Sequence, residues 1–189
     1  YAALRMQEAV KRYAEAVRAY NRALGLAPDL HVAAIRRGET YVLWRGERDT
    51  LRRVLGRVPR DAEVGTLGSV AAQRAGLLLW DRNADSLLAL LQLARVDIFE
   101  GQDLFRPSAL YAAWAHELRG DHVAARASFD SARVRLDSAV GEIPSDWRVH
   151  AARGLALAGV GRRDEALREA RWLQQSEVYR QDAYKGPLV

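Results

Sequence analysis

ALYAAWAHELRGDHVAARASFDSARVRLDSAVGEIPSDWRVHAARGLALAGVGRRDEALREARWL, residues 109–173, decides how the rest of the chain is read. It holds two halves of one shape. In each, an alanine-rich apolar run ends at a glycine, Gly120 or Gly161. A short polar turn follows, Asp121-His122 or Arg162-Arg163, and a second periodic run carries a small residue at the same distance past the glycine, Ala125 or Ala166. A glycine just past the last periodic residue is a helix stop, because it takes the left-handed cap conformation without a Cβ penalty. Each half therefore predicts a helix, a tight turn and a returning helix.

The same shape recurs upstream. Residues 13–28, YAEAVRAYNRALGLAP, form a second-helix pattern. Ala16 and Ala23 let a neighbouring helix approach, Tyr20 fills the gap, and Pro28 forbids continuation because it lacks an N–H and clashes with the preceding turn. Residues 31–44 predict the next first helix, with Asp29 as its expected cap and Gly38 at a close helix contact. Arg45-Gly46-Glu47 is the turn, and a short second helix runs through Thr50, Leu51 and Val54 toward Pro59, with Arg57 where a small residue is expected. The stretch from Asp61 is less regular, because Gly65 and Gly68 each weaken a helix by about 1 kcal/mol relative to Ala. A helix from Ser69 to Trp80, a turn at Asp81-Arg82-Asn83 and a helix from Ala84 to Arg95 follow. Residues 96–106 read as a loop, with Gly101 and Pro107 as breakers. Trp44 and Trp80 each close a first helix and are expected to pack between units.

Small residues recur in the second helices at Ala16, Thr50, Ser86, Ala125 and Ala166, with spacing growing from 34 (Ala16 to Thr50) to 41 (Ala125 to Ala166). The growth is assigned to longer linkers and a long second helix at Ser128–Val140, which Pro144 separates from the next. This pattern resembles the tetratricopeptide repeat (TPR), a helical hairpin with a period of about 34 residues. The resemblance implies an all-α fold, a TPR-like right-handed α-solenoid of about five helical hairpins. The units are residues 1–28, 29–60, 61–106, 107–144 and 145–176, with 177–189 as a junction to a further repeat. The tail Asp182-Ala183-Tyr184-Lys185-Gly186-Pro187 resembles a D-A-[FY]-x-G-P junction in the C-terminal TPR regions of multidomain bacterial regulators, although Arg180 stands where the usual proline would be. It implies a fragment of a signalling or transcription regulator whose effector part is a kinase, a nucleotide cyclase or a winged-helix domain. The start at Tyr1, inside a helical pattern, and the end at Gly186-Pro187-Leu188-Val189 fit a segment of a longer protein.

Composition narrows the function. With 49% apolar and 28% charged residues the chain is an ordinary core-forming sequence. No run approaches the ~18–20 apolar residues of a membrane span, and no basic-plus-apolar leader is visible at the N-terminus. The absence of cysteine excludes disulfides and thiolate chemistry but assigns no compartment; the cytoplasm and an exported part of a membrane-anchored regulator both fit. The net charge of +5 comes almost wholly from arginine, with lysine only at Lys11 and Lys185. That arginine is interleaved with acids, whereas nucleic-acid binders usually cluster their cations on one face.

No nucleotide loop or nucleophile elbow is present. His116 and His122 lie either side of the Gly120 turn, off the i, i+4 spacing of a helical zinc pair, and His31 and His150 fall near first-helix starts, where surface or packing roles are expected. Asp81, Asp85, Asp164 and Glu165 suit helix N-termini, where negative charge complements the dipole. The reading is therefore a non-enzymatic chain with no cofactor and no metal. The TPR resemblance places partner contacts on the groove lined by first helices, which implies Ile35, Glu39, Val42, Leu78, Leu110, Trp114, Glu117, Arg148 and Leu155. The Lys and Asn of a carboxylate-gripping TPR are replaced by Ile35/Glu39, Ala71/Ala75, Leu110/Trp114 and Ala151/Leu155, so the groove is apolar. It suits a peptide or amphipathic helix from a protein partner, or the flanking segments of the chain itself. Two alternatives stay open: a structural or homo-oligomerisation module, and arginine-mediated binding to nucleic acid or an anionic surface.

Overall fold

Glycine and proline punctuation sets the elements seen in the computed structural model, which describes residues 12–59, 62 and 67–177. The expected helix before Lys11, the weakened turns around Gly65 and the junction motif from Val178 onward lie outside the described residues. Among those described, the chain is mostly helical with one two-stranded hairpin. The order is α1 (Tyr13–Leu26), α2 (His31–Arg45), α3 (Asp49–Arg57), α4 (Val70–Trp80), α5 (Ala84–Ala94), β1 (Ile98–Gly101), β2 (Leu104–Pro107), α6 (Ser108–Arg119), α7 (His122–Glu142), α8 (Trp147–Gly159) and α9 (Arg163–Gln175). No helix among the described residues is long and apolar enough to cross a membrane.

The chain separates into two compact units, the first ending at Leu77 and the second beginning at Leu78. In the first, α1 packs on α2 and α2 on α3. Ala16 and Tyr20 of α1 and Ala33 of α2 form a small buried cluster, so Ala16 and Tyr20 do meet α2, whereas Ala23 is only half-buried and stands outside that cluster. Ile35, Leu51, Leu55 and Val70 anchor the larger core of this unit. A Cβ built on Gly38 would lie 2.8 Å from the Leu51 backbone, so glycine there permits the α2–α3 approach. Asp29 does not cap α2. Its carbonyl, not its carboxylate, takes the His31 N–H at 2.7 Å, and Leu30 occupies the cap without a side-chain bond. Trp44 and Trp80 are exposed rather than buried between units; Trp44 stacks on Tyr41 of its own helix, ring centroids 6.5 Å apart, and carries the Arg45 guanidinium at 3.9 Å.

In the second unit each helix from α5 to α9 packs on its sequence neighbour. Gly120 and Gly161 both take positive φ, 74° and 84°, and reverse the chain where the sequence places its turns. Asn83, Asp121 and Asp146 cap α5, α7 and α8 by accepting backbone N–H groups of Ser86, Ala124 and Arg148. Phe105, Leu110, Phe129, Leu136, Val149 and Ala156 are prominent in the common core.

The stretch 96–106 is not a plain loop. Ile98–Gly101 and Leu104–Pro107 pair antiparallel, with Phe99 opposite Arg106. The β-forming Ile98, Phe99, Leu104 and Phe105 outweigh the breakers, since Gln102-Asp103 is turn enough and Pro107 sits at a strand end where its missing N–H costs least. β2 packs against α6, α7 and α8, and Phe99 meets the Tyr111 ring edge-on at 5.1 Å.

Candidate functional site: the hairpin-flanked face of the second unit

The hairpin lands on the helices that the repeat pattern assigns to a partner groove. Phe105 joins the core of α6–α8. The hairpin meets α8 around a small hollow of about 60 Å³ bordered by Asp103, Phe105, Arg106, Trp147, Arg148, Ala151, Ala152 and Leu155. Part of this face is thus covered by the chain itself.

The nine candidate contact residues divide accordingly. Ile35 and Leu110 are each 0% exposed, core side chains and not groove contacts. The repeat pattern places them on a helix face but cannot say that a neighbouring segment closes over that face. Val42 is half-buried against the Ile35 core. Glu39 is half-buried and paired with Arg36 at 3.0 Å. Leu78 is half-buried near the end of α4. Glu117 is exposed, 3.3 Å from His122.

Arg148 is a strut. Its guanidinium holds the Asp146 carboxylate at 2.6 Å, donates to the Gly101 carbonyl at 2.6 Å, and reaches Glu100 at 3.2 Å. It ties the hairpin to the start of α8. The hydrogen bond to Asp146 holds the Arg148 guanidinium above its ordinary range. Burial pushes the Asp146 carboxyl up, but its bonds to Arg148 more than offset this and the net direction is down.

Beside the hairpin, Trp114, Arg106 and Leu155 keep part of their surface accessible. Trp114 is half-buried, edge-on to Tyr111 at 5.5 Å. The Arg106 guanidinium stands 5.5 Å from the Trp114 ring centre and also borders the hollow beside Leu155. Leu155 is 46% exposed. Trp114 and Leu155 were legible from the repeat. Arg106 was not, because it sat in a stretch without helical periodicity; the alternation of Leu104, Phe105 and Arg106 was the available signal.

A second polar cluster lies inside the α7–α9 packing. His150 and Glu169, only 6% and 7% exposed, meet at 2.6 Å through Nδ1. Nε2 lies 2.9 Å from the Pro144 carbonyl, and the ring stacks on Trp172 with centroids 3.6 Å apart. Arg153 binds the other Glu169 oxygen and also Asp137 of α7, the latter at 2.6 Å. A carbonyl can only accept, so Nε2 donates to Pro144, and Nδ1 faces the Glu169 carboxylate. Burial, the largest influence, pushes the His150 pKa down, but the bonds to Glu169 and Pro144 and the carboxylate charge carry it above its ordinary value. Burial likewise pushes Glu169 up, and its bonds and charge contacts with His150 and Arg153 bring it below the usual range. Both ring nitrogens are occupied, and together with Arg153 the pair ties α7, α8 and α9 to one another. His150 was expected in a surface or packing role; its ionic partner appears only when α9 is docked. No group of three or more potential metal ligands occurs among the described residues.

Comparison with known proteins adds no relative. No family model, no curated protein and no solved structure matches the chain. The residues themselves must carry the functional reading.

Proposed function

We propose that this chain is a non-catalytic protein-interaction scaffold, a TPR-like array of helical hairpins that receives a peptide or helix of a protein partner. The observation that carries the reading is the Arg106–Trp114–Leu155 strip: an aromatic ring, a cation above it and an exposed leucine, beside a hairpin anchored by Phe105 and Arg148. Anchors of this kind, large and rigid with an arginine at hand, dominate binding energy in protein interfaces. The neighbour-on-neighbour packing of α5 to α9 supports the repeat reading, as do the glycine turns. The arginines favour protein over nucleic acid, since Arg133, Arg148 and Arg153 are committed to carboxylates of the chain. Membership of a larger bacterial regulator is part of this proposal and rests on the tail motif alone.

A peptide library selected against the chain tests it. Selected peptides should lose about tenfold or more in affinity with Leu155→Asp. Val134→Asp, on an exposed site of α7, should leave binding unchanged. An absence of binders, or binders indifferent to Leu155, would sink the reading.

A further inference from the structure

The helix α9 is thinly held. Of its 13 residues only Glu169 and Leu173 are buried. Leu167 is exposed and Trp172 is half-buried. An element with so little apolar burial belongs to the part of a fold that opens first, and one of its two buried side chains is a carboxylate. Glu169 sits in a closed set of charges. From α8, His150 meets its Oε2 at 2.6 Å through Nδ1, and Arg153 takes its Oε1. Arg153 also holds Asp137 of α7. Asp146, at the cap of α8, feels the His150 charge but is bound by Arg148. When His150 is protonated, it and Arg153 balance the carboxylates of Glu169 and Asp137.

The neighbours of His150 set its proton count. Nδ1 faces the Glu169 carboxylate and Nε2 faces the Pro144 carbonyl at 2.9 Å. Both are acceptors while Glu169 is ionised. A neutral imidazole carries one N–H and one lone pair. In either tautomer that lone pair points at an acceptor, in a site only 6% exposed, where an acceptor left without a donor is costly. The balance of charge is lost in the same step. Burial pushes both His150 and Glu169 toward neutrality, and their mutual bond, with Pro144 and Arg153, outweighs it.

We propose that α9 is a proton-operated latch, docked on α8 while both His150 nitrogens carry protons and loosened when one proton leaves. Loosening uncovers the face of α8 that carries His150, Arg153 and Gly154, the last of which lies beside Glu169. The packing of α6, α7 and α8 on one another stays closed, because it has its own apolar core around Leu110, Leu136 and Val149. The latch does not rest on a peptide binding at Trp114 and Leu155.

Amide exchange of the full chain, read by NMR between about pH 6 and 9 as protection factors that divide out intrinsic base catalysis, tests it. The His150 ring is titrated in the same samples, its signal assigned by its loss in His150→Gln. From the ordinary 6.5 of histidine up to the folded value of His150, protection across Arg163–Gln175 should fall by up to about tenfold per pH unit, the slope of one proton, and then level off. Protection in α6 should change by less than about twofold. Glu169→Gln keeps an acceptor for Nδ1 without the charge, so its α9 should be less protected at the acid end and lose the slope. His150→Gln should lose the slope too; should that variant not fold, the wild type and Glu169→Gln still decide. A ring that titrates while α9 keeps its protection overturns the proposal, as does a slope that survives in either variant. Equal loss of protection in α6 and α9 also overturns it, since the proton would then act on the whole unit, and so does a ring that does not titrate before the chain unfolds.

Discussion

Three glycines measure how closely the helices approach. A Cβ on Gly159 would collide with the Phe129 ring, and one on Gly38 would press into the Leu51 backbone, whereas one on Gly154 meets Glu169 Cβ at 3.3 Å, tight but tolerable. Gly141 has open space around it within a helix. Substitution by alanine should follow that order. Gly38→Ala and Gly159→Ala are expected to cost about 1–3 kcal/mol by overpacking, and Gly154→Ala less. Gly141→Ala should stabilise by about 0.4–1 kcal/mol by restricting the unfolded chain. Urea denaturation of the four variants checks the ranking; a Gly159→Ala protein as stable as wild type would mean that α7 and α8 do not meet at Phe129. Gly38 was legible as a close helix contact from the sequence; what Gly159 faces is shown only by the docked Phe129 ring.

At the scale of elements, two ties make predictions. Arg148 fastens the hairpin to α8 through the Gly101 carbonyl and Glu100, and an isolated two-stranded hairpin is marginal in water. Arg148→Ala should therefore speed amide exchange across residues 98–107 while α9 keeps its protection. Unchanged exchange in the hairpin would show that Phe105 alone holds it. The His150–Glu169 pair sets a pH dependence whose sign follows from its two shifts. His150 is raised above its ordinary 6.5 in the folded state, so its contribution is complete below that pH and is lost as pH rises through the folded value. Glu169 is lowered from its ordinary 4.5, so its contribution is complete above that pH and is lost as pH falls through the folded value. The cluster thus stabilises most between those two ordinary values. His150→Gln should flatten the loss of stability that the wild type shows on going alkaline, measured as denaturation free energy against pH. An identical slope in the variant would assign that slope elsewhere. Neither tie was legible beforehand, since each joins residues far apart in the chain, Gly101 with Arg148 and His150 with Glu169.

For the whole molecule, the division at Leu77/Leu78 falls inside α4, so a fragment that respects the elements begins after that helix. Residues 82–177 retain the Asn83 cap, the hairpin and the core around Leu110 and Leu136. That fragment should melt in one cooperative transition and keep its helical signal; a fragment without cooperative unfolding would mean that the second unit depends on the first.

Where helices start and stop was readable from the chain alone. Pro28, Gly46, Gly120, Gly161 and Pro144 act on the residues beside them, and local rules reach only about one helical turn. The pairing of neighbouring helices followed from the same signals, because short turns leave little choice. Tertiary structure decided the rest. It placed a hairpin where periodicity offered only a loop. It buried Ile35 and Leu110 instead of leaving them to a partner, and it set Glu169 against His150 and Arg153. Those outcomes depend on which face of one element meets which face of another. That choice is made by the burial of the whole apolar surface at once, and no window of sequence contains it.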